Sequence, residues 1–331
     1  MKWKVKAALF PTLAFLLCFL GVIVFYGTRI AGRIGRIEKE QAHSYTAESF
    51  DVDTDKEDTI NTEQIKFMAS PVIQPSEDVI NILLVGRDVK EEDGEAGRTD
   101  SMIVASLNRR SRKISMVSLM RDCYVQIPGY SNNKLNAAYS IGGYRLLDET
   151  IQTNFGIEID YNIGVDFTSF MDIVNMLGGI DIELSQEEAD YILMKTKKES
   201  GLKAGINHLT GKQALWYART RYISSGKEAN DFGRTSRQRV VLQKIYEDVI
   251  QLPMSEITRI LYETADSIET DMDISDMVSL GTEVYGMGIT SLHMHRIPDE
   301  GMYTDEVISR MQVLVVDFEK AQEKLNKWLY L

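Results

Sequence analysis

The sequence predicts a layered α/β domain, because short apolar segments of strand length alternate with longer amphipathic segments of helix length. Three strand-like segments follow one another up to Asp122: NILLVGRD, GRTDSMIVASL and KISMVSLMRD. The first strand, Val79–Val85, is apolar almost throughout, as expected of a strand that is covered on both faces. The strongest amphipathic segment is DFGRTSRQRVVLQKIYEDVIQL, which ends at Pro253.

Residues 78–252 are predicted to form the core of this domain. The elements predicted after the third strand are a helical region at Leu135–Phe155 broken near Gly142-Gly143, a strand at Ile163–Phe167, a helix at Phe170–Leu177, a strand at Ile180–Leu184 and a helix at Leu209–Ala218. Residues 253–331 are predicted to be a helical extension that completes the domain. It contains helices near Ser255–Ser267 and Ile274–Tyr285, one strand at Ser291–Arg296 and a terminal helix from about Asp305.

Composition is that of a globular protein with an acidic surface. The chain is 44% apolar and 26% charged, which is ordinary for a globular protein. Its 331 residues are enough for one large domain with additional segments. The net charge of −12 argues against a nucleic-acid partner, because a polyanion would be repelled. Only one of the two cysteines, Cys123, lies outside the first apolar segment, so the sequence predicts no intrachain disulfide in the soluble part.

A transmembrane anchor is predicted over residues 7–26. Ala7–Tyr26 carries no charge and is long enough to cross a hydrocarbon core of about 30 Å. The residues before Gly27 are Val-Phe-Tyr rather than a small-residue cleavage site, which favours an uncleaved anchor. Basic residues flank both ends, so charge alone leaves the orientation open. The polar, acidic residues 27–77 are predicted to form a solvated stalk.

Carboxylates and an arginine stand at the ends of the three predicted strands. Asp88 follows the first strand, Asp100 precedes the second, and Arg121 and Asp122 follow the third. Carboxylate oxygens are the ligands that Mg²⁺ prefers, and a guanidinium group matches phosphate oxygens bidentately. The pattern therefore indicates a site for a metal and an anion.

More arginines follow along the chain. Arg219 and Arg221 are two positions apart, and Arg234, Arg237 and Gln238 fall on one face of a predicted helix. Arg234 is predicted to lie in the first turn of that helix, where backbone N–H groups already favour an anion. The alternative is that each of these residues belongs to an ordinary surface ion pair. Spacing alone leaves both interpretations open.

The chain resembles the LytR–CpsA–Psr family of Gram-positive cell-wall assembly enzymes. The resemblance extends from about Val79 to Gln251 and rests on seven blocks in order: NILLVGRD, GRTDSM, SLMRD, KLNAAYSIGG, VDFTSFMDIVNMLGGIDIEL, LTGKQALWYARTR and DFGRTSRQ. It implies a three-layer α–β–α sandwich with a central mixed sheet behind one N-terminal transmembrane helix. It also implies a single-pass type II arrangement, with residues 1–6 in the cytoplasm and the catalytic domain outside the cell.

The resemblance implies transfer of a glycopolymer phosphate from a polyprenyl-pyrophosphate carrier to a peptidoglycan sugar hydroxyl, with Mg²⁺ as cofactor. The polymer would be a teichoic acid, a capsule polysaccharide or another wall glycopolymer. The catalytic positions implied are Asp88 and Asp100, which match the magnesium ligands of the family, and Arg121, which matches a pyrophosphate contact. The other positions implied for the pyrophosphate are Arg98, Lys134, Arg219, Arg221, Arg234 and Gln238. An apolar pocket beneath the site is implied for the lipid tail.

Two residues beside the site depart from the family pattern. Met120 stands where the family normally has proline, and Arg87 stands where a small residue is common. The general base is left open among Asp88, Asp100 and Asp122, although a salt bridge from Asp122 to Arg121 is the favoured role of Asp122.

Two alternative functions are a polyprenyl-pyrophosphate hydrolase, which would use water as acceptor, and a non-catalytic wall-polymer binder or regulator. The presence of both matched aspartates and of the matched arginines argues against the non-catalytic alternative.

Overall fold

The computed structural model describes residues 33–37, 54–67, 76–87, 99–197, 201–221 and 230–331. The predicted anchor at residues 7–26 and the tail at residues 1–6 lie outside these ranges. Among the helices within them, none combines the length and the apolar character needed to cross a bilayer.

A seven-stranded mixed sheet forms the centre of the described structure. The strands of the chain are β1 (Gly35–Arg36), β2 (Val79–Arg87), β3 (Thr99–Asn108), β4 (Lys113–Leu119), β5 (Tyr124–Val125), β6 (Asn133–Lys134), β7 (Tyr161–Asp166), β8 (Ile180–Leu184), β9 (Gly205–Leu209), β10 (Ile268–Thr270), β11 (His293–Ile297), β12 (Tyr303–Ile308) and β13 (Met311–Val316). The order in the central sheet is β1-β10-β7-β2-β3-β4-β11. The three predicted strands are thus adjacent and antiparallel, and β7 and β11 join them in parallel.

Some of the helices that the structure describes pack on the two faces of this sheet. The helices are α1 (Leu135–Phe155), α2 (Phe167–Met176), α3 (Gln186–Thr196), α4 (Gly211–Ala218), α5 (Asn230–Val249), α6 (Met254–Thr264), α7 (Ile274–Met287) and α8 (Phe318–Leu325). Of these, α3 and α4 pack instead in a separate core with β8 and β9. Val104 and its same-face neighbours share one core with α1 and α8. Ile103, on the opposite face of the same strand, lies in a second apolar cluster with Leu242 of α5 and Val284 of α7. Successive strand residues alternate between the faces, so a strand with both cores is apolar throughout. The predicted mixed α/β fold with a central mixed sheet is confirmed.

The predicted break in the helical region after residue 134 is confirmed. Gly142 and Gly143 have non-helical backbone angles, and Gly143 has a φ of 62°. A side chain at Gly142 would meet Leu146, since an added Cβ would lie 2.6 Å from the Cβ of that residue. The two glycines therefore allow α1 to turn while both of its halves remain packed on the sheet.

The prediction of a plain stalk is wrong for the parts of residues 27–77 that the structure describes. Gly35 and Arg36 pair in parallel with β10 at the edge of the central sheet. The backbone N–H of Thr59 donates to the carbonyl oxygen of Val307 at 2.9 Å. Ile65 is buried in an apolar cluster with the β12–β13 hairpin. Strand pairing uses main-chain groups, so a polar composition does not prevent it.

The predicted terminal helix from about Asp305 is also wrong. This stretch forms the antiparallel hairpin of β12 and β13, and the helix begins only at Phe318, after the N-cap Asp317. The two turn residues, Ser309 and Arg310, have φ values of 51° and 63°. Positive φ at both central positions is the geometry of a two-residue hairpin turn. The alternating apolar residues of MQVLVV are the local signal for the second strand. The extension therefore contains more strands than the one predicted.

We expect Gly211→Ala to lower the free energy of unfolding by about 1–3 kcal/mol, because α4 packs tightly on α2 at this glycine. An added Cβ would lie 2.1 Å from the carbonyl oxygen of Met171, and a backbone atom cannot move aside alone. Urea denaturation measures the effect. Gly281→Ala on α7 is the matched control, since an added Cβ there meets nothing within 4 Å. That variant should be neutral or more stable by about 0.5–1 kcal/mol. Equal effects at the two glycines would contradict the packing explanation.

Candidate functional site

The adjoining ends of β2 and β3 carry the predicted metal ligands. Gly86 pairs with Ser101 and Arg87 pairs with Thr99, so Asp100 is the extra residue of a β-bulge. Bulges beside active sites commonly re-aim a side chain. Asp88 comes directly after Arg87 in the sequence.

Asp88 and Arg98 lie outside the described residues, as does the side chain of Asp100. Within the described residues, no group of three or more His, Cys, Asp or Glu side chains is arranged to hold a metal ion. The assignment of Asp88 and Asp100 to Mg²⁺ therefore stays a prediction. The backbone register is consistent with it, since it brings Asp100 next to the residue that precedes Asp88.

Three arginines that were predicted to bind pyrophosphate converge on one carboxylate, that of Asp231. The Nε atom of Arg121 donates to Oδ2 of Asp231 at 2.7 Å. Nη2 of Arg234 donates to the same oxygen at 3.1 Å. Nε of Arg221 lies 3.6 Å from Oδ1 of Asp231. These three arginines thus share one carboxylate rather than each having a separate one.

A second carboxylate, that of Asp122, brings a further predicted residue into this cluster. Its Oδ1 atom lies 3.0 Å from Nζ of Lys134, and its Oδ2 atom lies 3.5 Å from Nε of Arg121. The predicted salt bridge between Asp122 and Arg121 is thus confirmed. We call this group of four cationic side chains and two carboxylates the arginine cluster; its members are Arg121, Asp122, Lys134, Arg221, Asp231 and Arg234. It has a surplus of positive charge, which suits a dianionic diphosphate.

The tertiary structure assembles the arginine cluster from four separate parts of the chain. Arg121 and Asp122 follow β4, Lys134 ends β6, and Arg221 lies shortly after the end of α4. Asp231 lies in the first turn of α5 and is 110 positions from Arg121 in sequence. The side chain of Arg234 is only 4% exposed, whereas that of Arg221 is 30% exposed. The cluster therefore extends from the protein interior to the solvent.

The two carboxyl groups of the cluster differ in acidity. Burial raises the pKa of Asp122 above its usual range, although Arg121 and Lys134 oppose this shift. Burial also acts to raise the pKa of Asp231, but Arg234 and Arg121, together with a hydrogen bond from Asp122, outweigh it and lower that pKa. When a proton lies between Asp122 and Asp231, it is therefore bound to the Asp122 carboxyl, which donates the hydrogen bond to Asp231. Asp231 stays ionised and provides the negative charge around which the arginines gather.

Gln238 and Arg219 each make one contact that ties them to the elements around the site. Oε1 of Gln238 accepts a hydrogen bond from the Ser101 hydroxyl at 3.3 Å, so α5 is tied to the β3 bulge one residue from Asp100. The guanidinium carbon of Arg219 lies 4.4 Å from the ring centroid of Phe167. Arg219 is therefore supported by an aromatic ring at the start of α2, directly after β7 ends.

The predicted position of Arg234 in the first turn of its helix is wrong. Helix α5 begins at Asn230, so its first turn carries the acidic Asp231 and Arg234 follows in the next turn. An acidic residue in this turn is favourable to the helix dipole. The neighbouring Arg237, which points into the protein, donates from Nε to Oε1 of Glu188 at 2.7 Å in a buried ion pair. This pair fixes α5 against α3 and so holds the face that carries Arg234.

Met120 makes a backbone hydrogen bond that a proline, the residue implied at this position by the resemblance, could not make. Its backbone N–H donates to the carbonyl oxygen of Ile297, at the end of β11, at 2.9 Å. Its side chain is 2% exposed, and the Thr235 hydroxyl lies 3.4 Å from its sulfur. The departure therefore adds contacts from β11 and α5 to the segment that positions Arg121.

Asp231 is the residue of the site that sequence reasoning missed. It is the first residue of the DFGRTSRQ block, three positions before Arg234. The sequence does contain a signal for a contact between Asp231 and Arg234, because residues three apart on a helix are neighbours.

An apolar layer lies between the sheet and the helices α5 and α7. Ile103 and Met116 are buried there, while Leu84, Leu242 and Met294 are only partly buried. It lies on the sheet face that also carries Ser101, which contacts Gln238. The site thus has a charged part at the strand ends and an apolar part along the same sheet face.

Comparisons with known proteins find relatives over most of the chain. A sequence model of the LytR_cpsA_psr family matches residues 41–327. The chain is 31% identical over 256 residues to an Enterococcus faecalis protein named polyisoprenyl-teichoic acid–peptidoglycan teichoic acid transferase TagU, which covers 75% of this chain and 79% of that protein. It is 32% identical over 228 residues to a Bacillus subtilis protein named polyisoprenyl-teichoic acid–peptidoglycan teichoic acid transferase TagV. This match covers 68% of this chain and 57% of that protein.

A solved structure is similar in fold. It is described as the LytR-CPS2A-psr family protein YwtF (TagT) with bound octaprenyl pyrophosphate lipid, and it superposes with a TM-score of 0.59 at 23% identity. The superposition covers 79% of this chain and 97% of that chain.

Proposed function

The chain belongs to the LytR–CpsA–Psr family, and from this premise we propose that it is a phosphotransferase of cell-wall assembly. In the proposed reaction, a glycopolymer phosphate moves from a polyprenyl-pyrophosphate carrier to a sugar hydroxyl of peptidoglycan. The names of TagU and TagV as teichoic acid–peptidoglycan transferases support this substrate class. The observation that carries the proposal is the arginine cluster, in which four cationic side chains from distant parts of the chain meet around two carboxylates.

The arginine cluster would bind the diphosphate of the donor. Arg121 and Arg221 meet Asp231 through Nε. Their guanidinium groups would donate to the phosphate oxygens of the substrate through their Nη atoms. Because the cluster is partly buried, these charge interactions are stronger than they would be in water. Lys134 would add a point charge from the other end of the cluster.

We assign Asp88 and Asp100 to a magnesium ion. Two carboxylates at adjoining strand ends are a donor set that suits Mg²⁺, which binds few protein ligands alongside phosphate oxygens. When bound, the ion would supply charge neutralisation and polarisation of the diphosphate. Gln238 would hold the β3 bulge in register through Ser101, and so position Asp100.

The proposed reaction is an in-line displacement at phosphorus. The acceptor hydroxyl forms a bond to the phosphorus that carries the glycopolymer, and the bond from that phosphorus to the oxygen of polyprenyl phosphate breaks. The net reaction releases the hydroxyl proton. Arg121, Arg221 and Arg234 would stabilise the negative charge on the departing phosphate. Asp122 is engaged by Lys134 and Arg121, so we assign it to positioning.

The lipid tail of the donor would lie in the apolar layer between the sheet and the helices α5 and α7. Its partly buried side chains, such as Leu84 and Leu242, are apolar surface that a polyprenyl chain would cover. We further propose that residues 7–26 anchor the chain in the cell membrane and that the catalytic domain faces the cell wall. Both substrates would then be within reach of the site.

The test is a reconstituted reaction with the full-length protein. The protein in detergent is incubated with a short-chain polyprenyl-pyrophosphate saccharide, Mg²⁺ and peptidoglycan fragments. The expected result is a phosphodiester-linked product and an equal amount of polyprenyl phosphate, with product formation abolished by a chelator and restored by Mg²⁺.

The alternatives give other results in the same assay. Release of polyprenyl phosphate at the same rate without peptidoglycan would favour a hydrolase. If neither product nor polyprenyl phosphate forms under any condition, the proposed function is wrong. Full activity in the presence of a chelator would exclude the assigned role of Mg²⁺.

A further inference from the structure

Aromatic rings and cationic groups alternate along a surface formed by α2, α3 and α4. The guanidinium carbon of Arg219 lies 4.4 Å from the ring centroid of Phe167 and 5.6 Å from that of Trp216. On the other side, Nζ of Lys195 lies 5.3 Å from the centroid of Trp216 and 5.4 Å from that of Tyr191. We call the series Phe167–Arg219–Trp216–Lys195–Tyr191 the aromatic–cationic strip.

The strip is accessible to a ligand. Lys195 is exposed, and the other four side chains are partly exposed. Lys212, also exposed, precedes Trp216 by one turn of α4 and adds a cation to the same helix face. A group of cationic side chains is notable in a protein with a net charge of −12. An anion approaching this surface would be attracted here and repelled over much of the remaining surface.

One end of the strip lies beside the arginine cluster along the chain. Arg219 is two positions before Arg221, whose Nε is 3.6 Å from Asp231. A ligand whose diphosphate occupied the arginine cluster would therefore have the Arg219 end of the strip close to it. Packing between helices α3 and α4 explains why Lys195 contacts Trp216. It does not explain why the aromatic–cationic strip extends to Arg219, beside the arginine cluster.

The composition of the strip matches one class of polymer. Aromatic faces pack against the apolar faces of sugar rings, and ammonium and guanidinium groups pair with phosphate oxygens. A polymer of sugars linked by phosphodiesters presents both groups in alternation, and a polyol phosphate presents the phosphates with short C–H segments between them, whereas the glycan backbone of peptidoglycan presents no phosphate. We propose that the aromatic–cationic strip binds the first phosphodiester-linked units of the donor glycopolymer. This inference rests on the proposed function and names the surface that receives the polymer chain.

Binding can be measured without the reaction, with a soluble poly(glycerol phosphate) as the probe and the full-length protein in detergent. We expect Lys195→Gln to raise the Kd about fivefold, which corresponds to the value of one exposed cation–π or phosphate contact. Lys195→Glu should raise it further, and the affinity of the wild type should fall with added salt. Thermal unfolding verifies the fold, which an exposed lysine is not expected to affect.

Lys244→Gln is the matched control. Lys244 lies on α5, is 41% exposed and pairs with Glu247, so the variant makes the same charge change outside the strip. Its Kd for poly(glycerol phosphate) should equal that of the wild type. Equal weakening in both variants, or none in Lys195→Gln, would overturn the proposal. If Lys195→Gln lost binding to a soluble peptidoglycan glycan but still bound poly(glycerol phosphate) as the wild type does, the assignment of the polymer would be wrong.

The transfer reaction gives an independent result. A donor with one saccharide unit is compared with a donor that carries several phosphodiester-linked units. We expect Lys195→Gln to lower the ratio of kcat/KM for the long donor to kcat/KM for the short donor about fivefold, and Lys244→Gln to leave that ratio unchanged. If Lys195→Gln leaves this ratio of kcat/KM values unchanged, the proposed role of the strip is wrong, while the proposed function of the protein is unaffected. Absence of product from either donor with the wild type contradicts the proposed function, while the binding result still tests the strip.

Discussion

Replacing Arg121 with alanine is expected to lower kcat/KM for transfer about 10²–10³-fold, the effect of removing one preorganised donor to a developing negative charge. Arg121 is the centre of the arginine cluster, since its Nε contacts both Asp231 and Asp122. It also lies two residues after the end of β4, so the sheet restrains its backbone. Its loss would remove a phosphate ligand and the guanidinium group that both carboxylates share.

The measurement is steady-state transfer from a short-chain donor, with Arg145→Ala as the control. Arg145 is 49% exposed on α1 and pairs with Glu149, so its removal eliminates an arginine far from any proposed contact with substrate. Arg121→Lys adds a second comparison. Lysine keeps the charge but lacks the planar fork, so activity should remain at least about tenfold below wild type. Wild-type activity in Arg121→Ala would remove the arginine cluster from the mechanism.

Asp231→Asn is expected to lower kcat by about 10²-fold without raising KM. The ionised carboxylate holds Arg121, Arg221 and Arg234 in one arrangement, and a displacement of about 1 Å in such groups costs a factor of this size. The amide keeps the shape of the side chain but removes its negative charge. The cluster then becomes more positive, so attraction for the diphosphate does not weaken. Loss of active protein would also lower the apparent kcat without changing KM, so the folded fraction is measured by thermal unfolding and kcat is expressed per folded molecule.

The same variant should show a characteristic dependence of stability on pH. The pKa of Asp231 is lower in the folded protein than its usual value. Its ionised form therefore stabilises the fold above the usual pKa of about 4, and this contribution is lost as the pH falls through the lower, folded-state pKa. The difference in free energy of unfolding between wild type and Asp231→Asn should thus be largest near neutral pH and should shrink on acidification. The raised pKa of Asp122 acts in the opposite sense, and because Asp231 contributes to that shift, its removal partly offsets the difference between the two proteins.

Asp305→Asn serves as the control for both measurements. Asp305 lies exposed on β12, so the same chemical change occurs away from the arginine cluster. Its kcat, KM and pH dependence should match those of the wild type. A rise in KM with unchanged kcat in Asp231→Asn would mean that the carboxylate supports substrate binding rather than the arrangement of the arginines.

Elements with a strong local pattern could be predicted from sequence. The strands β2, β3 and β4 and the break at Gly142-Gly143 are where the sequence indicated them, because apolar periodicity and glycine act over a few neighbouring residues. The pairing of Gly35–Arg36 with β10 was not predictable in this way. An edge strand uses main-chain hydrogen bonds, which leave little trace in the side chains.

The hairpin of β12 and β13 could not be predicted from the sequence for a different reason. Its second strand has a clear period of two, but its turn is Ser309-Arg310 rather than a glycine-containing pair. Without a turn signal, the segment was interpreted as the start of the following helix. The true start of that helix is marked by Asp317, whose side chain accepts a hydrogen bond from the backbone N–H of Lys320.

By itself, the sequence determined the class of fold, the positions of the central strands and, through seven ordered blocks, the family and the residues that its resemblance implies. Only the tertiary structure decided that Arg121, Lys134, Arg221 and Arg234 lie together, and that Asp231 is the carboxylate that joins three of them. The physical reason is distance along the chain. A contact between residues 110 positions apart depends on strand order and on how α5 packs against the sheet, which no local pattern encodes.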